Sequence, residues 1–265
     1  MNNENVRHVL GLSGGKDSAA LAIYLKDKGD IPNMEYFFCD TGAELKEVYE
    51  FLDRLEGYLG KEVARLSSGK PFDHHLTTHN DFLPSPRERW CTREMKIKPF
   101  LEFVGDDECF SYIGIRADEN RGGYDTTLSP SKRVRPQYPF MTDGIVKEDV
   151  FRILRESIGV PEYYKWRSRS GCYFCFFQKK DEWVGLHDNH PELFEKAAQY
   201  EKFDKATGKR YTWSKKESLP ELLERADEIR AKKEKRDGQK SKKANWQEKL
   251  LEDDEDEQAC LICSL

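Results

Sequence analysis

Six residues near the start of the chain, Ser13-Gly14-Gly15-Lys16-Asp17-Ser18, restrict the possible folds more than any other feature. They follow a short apolar run, Val6 to Leu12, and precede a helical pattern from Ser18 to Lys28 that carries Ala19, Leu21, Ala22, Ile23 and Leu25. That order predicts strand, tight loop, helix. Two glycines let the backbone turn until successive N–H groups face one point, and the helix start adds partial positive charge there. Ser13 and Ser18 bring hydroxyl donors, Lys16 a point charge and Asp17 a contact for magnesium. The expectation is a phosphate cradle. It lacks the G-x-x-x-x-G-K-[ST] spacing of the loop that serves β,γ-cleaving nucleotidases.

The alternation continues beyond this unit. Met34 to Cys39 is a second apolar run, broken by Asp40-Thr41-Gly42 before an amphipathic helix from about Ala43 to Leu59. Glu62 to Leu66 and Tyr112 to Ile115 read as further strands, which predicts an α/β chain with a Rossmann-like parallel sheet flanked by helices. Ala117 to Pro139 is rich in Arg, Gly, Ser and Pro and reads as a loop. A helix from Lys147 to Ile158 ends at Val160-Pro161, and a helical region runs from about Lys180 to Lys205. The division expected is a nucleotide-binding α/β domain over 1–142, a cysteine-bearing lobe over 143–212 and a charged helical or disordered tail over 213–265.

Lys and Arg number 44 against 49 Asp and Glu, so the net charge of -5 confines any nucleic-acid contact to a local patch. One such patch is Arg230 to Lys249; it is followed by an unbroken acidic run from Glu252 to Glu257, and such blocks are usually solvated. Arg87, Arg89, Arg93, Arg116, Arg121, Arg133 and Arg135 are expected in loops around the carboxyl-edge crevice, where guanidinium groups would bind phosphate or sulfate. The N-terminus has no apolar run of the ~18 residues that a membrane span needs, so a soluble, cytoplasmic protein without a membrane partner is expected.

Seven cysteines without an export signal favour a metal site or reactive thiols over a disulfide framework. The spacing Gly171-Cys172-x-x-Cys175 lets two sulfurs converge on one metal, with Cys91 as a natural third ligand and Cys39 as a fourth. A [4Fe–4S] cluster with one open iron is the preferred reading, with structural zinc and a redox dithiol as alternatives. Phe174, Phe176 and Phe177 suit a shielded cluster or ordinary core. Cys109 is expected to be a small buried hydrophobe. Cys260 and Cys263 would either deliver sulfur from a tail or form an incidental exposed pair. His74, His75 and His79 read as a polar surface loop. Asp40-Thr41-Gly42-Ala43-Glu44 stands at the carboxyl edge, either beside a ligand or as the cap of the next helix.

These motifs, taken together, resemble a known family. Ser13 to Ser18 resembles the PP-loop of ATP pyrophosphatases in the adenine nucleotide alpha hydrolase superfamily. Asp40 to Glu44 resembles the D-T-G-x-E segment of its phosphoadenylylsulfate (PAPS) reductase branch. Arg89-Trp90-Cys91-Thr92-Arg93-Glu94-Met95-Lys96-Ile97-Lys98-Pro99 is similar to that branch's cysteine-containing segment with its Lys-x-x-Pro helix start. Gly114-Ile115-Arg116-Ala117-Asp118-Glu119-Asn120-Arg121 resembles G-x-R-x-x-E-x-x-R, with Arg121 one place early. Tyr138-Pro139-Phe140, the Asp149-Val150 helix and Gly171-Cys172-x-x-Cys175 match its later elements in order, so the likeness covers residues 5 to 205. Two departures matter. The loop keeps the ATP-cleaving form, and neither adjacent cysteines at Trp90-Cys91 nor the reductase's Glu-Cys-Gly-Leu/Ile-His tail is present. The chain therefore looks more like phage and defence-associated reductase-like proteins and the ATP-pyrophosphatase component of DNA phosphorothioation systems.

That resemblance implies ATP and Mg²⁺ as cofactors, with nucleotide contacts from Ser13, Gly14, Gly15, Lys16, Asp17, Ser18, Asp40, Thr41, Gly42 and Glu44. It implies attack of a substrate oxygen on the α-phosphorus, Lys16 and Asp17 serving the departing pyrophosphate, and Arg116 and Arg121 holding the acceptor's phosphate. Sulfur would arrive from a donor protein through the Cys91, Cys172 and Cys175 cluster, the acceptor being DNA, tRNA or a small phosphorylated molecule. The alternatives are a thiol-dependent PAPS or adenylylsulfate reductase and an ATP-binding, non-catalytic subunit of a defence complex.

Overall fold

The computed structural model describes residues 6–31, 33–119, 131–204, 208–214 and 217–240. Arg121, Cys260 and Cys263 lie outside the described residues, as do most of the basic stretch after Lys240 and the acidic run.

Five parallel strands form the central sheet in the order β3-β2-β1-β4-β5, with β1 at Arg7–Gly11, β2 at Met34–Cys39, β3 at Val63–Leu66, β4 at Cys109–Tyr112 and β5 at Val134–Gln137. Helices α1 (Lys16–Lys28) and α2 (Lys46–Leu59) connect the first three strands. Three short helices, α3 (Phe72–Thr78), α4 (Trp90–Thr92) and α5 (Lys98–Val104), precede β4. Both faces of the sheet are covered, as a parallel sheet requires. Leu10, Tyr36 and Phe38 point to one side, where α1, α2 and α7 (Lys147–Glu156) pack; Val9, Phe37, Cys109 and Val134 point to the other, against Phe100 and Val104 of α5. The period-2 alternation along β2 thus fills two cores with one strand.

Two of the expected boundaries shift. Strand β4 starts at Cys109, three residues ahead of the expected Tyr112, and Cys109 is fully buried as anticipated. Within the segment read as a loop, Val134–Gln137 forms β5. Its Pro136 lacks a donor, which only an edge strand tolerates, and that proline, with the arginines beside it, hid the strand.

After β5 come α6 (Pro139–Thr142) and α7, then a 3₁₀ turn at Glu162–Lys165 and the cysteine segment. The helical region beyond Lys180 divides into α8 (Lys180–Asn189) and α9 (Pro191–Gln199), because Pro191 restarts the helix, and it ends in a small hairpin, β6 (Lys202–Asp204) with β7 (Lys209–Tyr211). The chain past Thr212 is not wholly solvated. Trp213 is buried, its indole N–H donating to the Ala197 carbonyl, and Leu219 and Leu222 of α10 (Leu219–Leu223) and Ile229 of α11 (Ala226–Lys240) join the same core.

Candidate functional site

Strand order reverses between β1 and β4, so the loops leaving their carboxyl ends diverge and open a crevice, the place where open α/β sheets bind ligands. The loop from β1 enters it first. Gly14 holds φ +71°, and a Cβ there would stand 2.5 Å from Val48 Cγ1, so two requirements fix glycine. Gly15 lies under Ser170, whose Oγ would be 2.7 Å from an added Cβ. Ser18 Oγ accepts the Ser13 N–H at 3.2 Å and lies 3.3 Å from Ser13 Oγ, which ties the two ends of the turn together. Lys16 is buried, its Nζ 3.4 Å from Asp17 Oδ2 and 5.3 Å from the centre of the Tyr164 ring. The turn is not an open cradle: the Lys16 amide, the first of α1, donates to the Tyr164 hydroxyl at 3.0 Å.

The loop after β4 packs against this turn. Gly114 is needed because a Cβ would meet the Asp17 carbonyl oxygen at 2.8 Å. Arg116, expected to face an acceptor phosphate, does not. Its side chain is 1% exposed and ion-paired with Asp17 at 2.6 Å, Asp118 at 3.1 Å and Glu119 at 3.0 Å. A guanidinium engaged by three carboxylates positions Asp17 and through it Lys16; it has no face left for substrate. Asp17 bridges Lys16 and Arg116 and lines the cavity.

Asp40 to Glu44 leaves β2 at the same edge. Asp40 Oδ1 accepts the Gly42 N–H and the Tyr49 hydroxyl, both at 2.8 Å, so its carboxylate builds the turn. Neither Asp40 nor Thr41 caps α2, which begins at Lys46 with Leu45 as its N-cap. Of this segment only Thr41 lines the cavity. Its hydroxyl donates to Glu44 Oε2 at 2.9 Å and lies 3.2 Å from Cys172 Sγ. Burial raises the Glu44 carboxyl above the usual carboxylate range.

The cysteines converge on this cavity. Cys91, Cys172 and Cys175 all line it, together with Lys16, Thr41 and Lys96. Cys172 is set by buried Arg167, which donates to the Gly171 and Cys172 carbonyls at 3.3 and 3.4 Å, and by the Tyr173 N–H on the Ala43 carbonyl at 2.8 Å. Burial pushes the Cys91 thiol up to about 11 and raises Cys172 well above an ordinary thiol, while the Lys96 ammonium pulls both down. Each of these thiols also feels Cys175. Yet among the described residues no three His, Cys, Asp or Glu side chains enclose one point as metal ligands would. Among the described residues the thiols are assembled around one cavity without being closed around one atom. Cys39 points away into the core with Val9, Phe37 and Phe100 and does not line the cavity.

Other expectations move as well. Arg133 and Arg135 lie at the opposite, amino edge, paired with Asp106 and Glu108. Arg93 is exposed and pairs with Glu94. His74 and His75 belong to helix α3, not to a loop; His75 is buried with Ser68 Oγ 3.0 Å away, and His79 stacks on Trp90. Phe174 is core, stacked on Trp213, whereas Phe177 carries the Arg89 and Arg169 guanidinium groups over its ring.

Sequence reasoning missed Lys96, Tyr164, Arg169 and Ser170, all of which line the cavity. Lys96 is presented by a π-helical turn, Arg93–Ile97, in which the Lys98 N–H reaches back to the Arg93 carbonyl. Pro99 follows at once; it has no N–H for a carbonyl four residues back, and the widened turn absorbs that loss. The Lys-x-x-Pro spacing was the available signal.

Residues 7–135 match the family model for the phosphoadenosine phosphosulfate reductase domain. That match and the relatives below make the chain similar to PP-loop, PAPS reductase-like proteins. An uncharacterised 37.8 kDa protein of Escherichia phage 186 is 26% identical over an alignment that covers 78% of this chain and 78% of that protein. An uncharacterised protein of Methanocaldococcus jannaschii is 26% identical over 238 residues, covering 84% of this chain and 55% of that one. The tRNA-specific 2-thiouridylase MnmA of Haemophilus ducreyi is 23% identical over 201 residues, 64% of this chain and 52% of the enzyme. The chain thus spans little more than half the length of the latter two relatives. A PAPS reductase structure from Candida auris, in complex with phosphate, overlays with a TM-score of 0.41 at 11% identity, over 57% of this chain and 72% of that one.

Proposed function

We propose that the protein adenylates an acceptor with ATP, releasing pyrophosphate, and that sulfur then replaces the adenylate at the thiol-lined end of the same cavity. The observation that carries this reading is the shared cavity: the Ser13–Ser18 loop with Lys16 forms one part of its wall, and Cys91, Cys172 and Cys175 another. The relatives support the coarser statement, since the family includes proteins named for tRNA 2-thiouridylation and for PAPS reduction.

In the first step an acceptor oxygen attacks the α-phosphorus. The bond to the bridging oxygen of the outer phosphates breaks, and pyrophosphate departs toward Lys16 and the start of α1, whose charge and dipole favour the leaving anion. In the second step a persulfide carried on one cavity thiol attacks the activated carbon and expels AMP. A neighbouring thiol then attacks the thiol-side sulfur, freeing the thiolated acceptor and leaving a protein disulfide. A donor persulfide and a thiol reductant complete the cycle. No step passes through a metal cluster. Lys96 favours the charged form of the thiols and Arg169 adds positive charge to the cavity wall.

The test uses ATP labelled separately at the α- and γ-positions, incubated with the reduced protein, a persulfide donor and either total tRNA or genomic DNA. AMP and pyrophosphate are expected, with sulfur appearing in one nucleic-acid pool. ADP and phosphate as products would overturn the reading. Reduction without pyrophosphate release would favour the reductase alternative.

A further inference from the structure

A single stretch of chain, residues 163–172, covers the face of the phosphate loop. Tyr164 takes the Lys16 amide at 3.0 Å and places its ring 5.3 Å from Lys16 Nζ. Tyr163 donates its hydroxyl to the Gly14 carbonyl, and Ser170 sits directly above Gly15. Tyr163 and Tyr164 are 1% and 3% exposed, with ring centres 4.8 Å apart. Buried phenols need hydrogen-bond partners, and here the loop backbone supplies one to each. The Lys16 amide has one hydrogen to give, so a phosphate oxygen at that amide would displace the Tyr164 hydroxyl.

The covering stretch ends in the thiol turn. Arg167 is buried and fixes the Gly171 and Cys172 carbonyls, and Cys172 in turn lies against Thr41. Movement at Tyr164 therefore has a short mechanical route to Cys172: three residues to Arg167, then two hydrogen bonds.

We propose that Tyr164 is a latch. It holds the phosphate loop until nucleotide phosphates take the Lys16 amide, and its release loosens residues 163–172 and widens access to the half-buried Cys172 and Cys175 thiols. Sulfur chemistry is thereby coupled to nucleotide occupancy, which limits access to a reactive sulfur when no activated acceptor is present. This inference rests on the reading of Ser13–Ser18 as a nucleotide-phosphate site.

The test measures two quantities on the full chain under reducing conditions: affinity for magnesium α,β-methylene-ATP by equilibrium dialysis, and the rate of maleimide labelling at Cys172 by mass spectrometry. Saturating nucleotide should speed Cys172 labelling about three- to tenfold, the population change expected when one net hydrogen bond is exchanged. Tyr164→Phe should bind the nucleotide tighter by about the same three- to tenfold factor and label faster even without it, because no phenol competes for the amide. Nucleotide binding with unchanged or slower labelling, or a Tyr164→Phe variant with equal or weaker affinity, would overturn the latch while leaving the nucleotide site standing. Absence of nucleotide binding in both proteins would remove the site and the latch together.

Discussion

Lys16 and Arg116 carry opposite roles although both are buried cations at one turn. Lys16 lines the cavity and, in the proposed reaction, would meet the leaving group; Arg116 is locked among Asp17, Asp118 and Glu119 behind it. Lys16→Ala should therefore keep its urea midpoint while slowing AMP formation by about 10²-fold or more, the loss typical of an electrostatic contact to developing charge. Arg116→Ala should instead destabilise the fold by about 3–5 kcal/mol, since it strands the buried Glu119 carboxylate, and a urea titration measures this directly. The thiols give a pH signature. Burial disfavours the thiolate of Cys91, so its alkylation rate should keep climbing with pH toward about 11 instead of levelling near the ordinary value of 9.0. Lys96 opposes that shift, and Lys96→Met should slow labelling of Cys91 and Cys172 at pH 8 in a quenched-alkylation assay. Equal rates in the two proteins would deny Lys96 its part.

The elements that build the site were unevenly legible in the sequence. The strand–loop–helix unit at Arg7 to Lys28 was read nearly to its boundaries because local chemistry decides it: Gly14 needs positive φ, Ser18 ties back to Ser13, and the apolar period changes from 2 to 3.6 at the loop. Strand β5 was not legible, since an edge strand carrying Pro136 and two flanking arginines has the composition of a loop. Helix α3 was missed because the histidines around it are placed by partners outside the helix, Ser68 beside His75 and Trp90 stacked on the C-capping His79, which no periodicity foretells. The loop after β4 shows how closely two elements can be fitted. Gly114→Ala should push a methyl into the Asp17 carbonyl, cost about 1–3 kcal/mol as overpacking does, and weaken nucleotide binding in the same dialysis assay. A variant as stable and as tight-binding as the parent would mean the two loops are not in register as described.

For the molecule as a whole, the topology performs the decisive step. Reversal of strand order between β1 and β4 gathers loops from Ser13, Thr41 and Gly114 at one edge, and the chain then returns from Tyr163 to Cys175 across that edge to close the cavity. The sequence made the participants recognisable, as the motifs around Cys91 and Cys172 did, but not their orientation. Arg116 turned inward, Cys39 turned to the far face, and Arg133 and Arg135 fell at the amino edge, each because strand register and pairing decide which way a side chain points. No helix among the described residues is long and apolar enough to cross a membrane. What remains central is occupancy of the first loop by a nucleotide. A crystal structure with magnesium α,β-methylene-ATP tests it most directly: the outer phosphates should lie against Lys16 and the start of α1, with the Tyr164 hydroxyl displaced from the Lys16 amide. Nucleotide bound elsewhere, with Tyr164 still seated on that amide at saturating ligand, would contradict it.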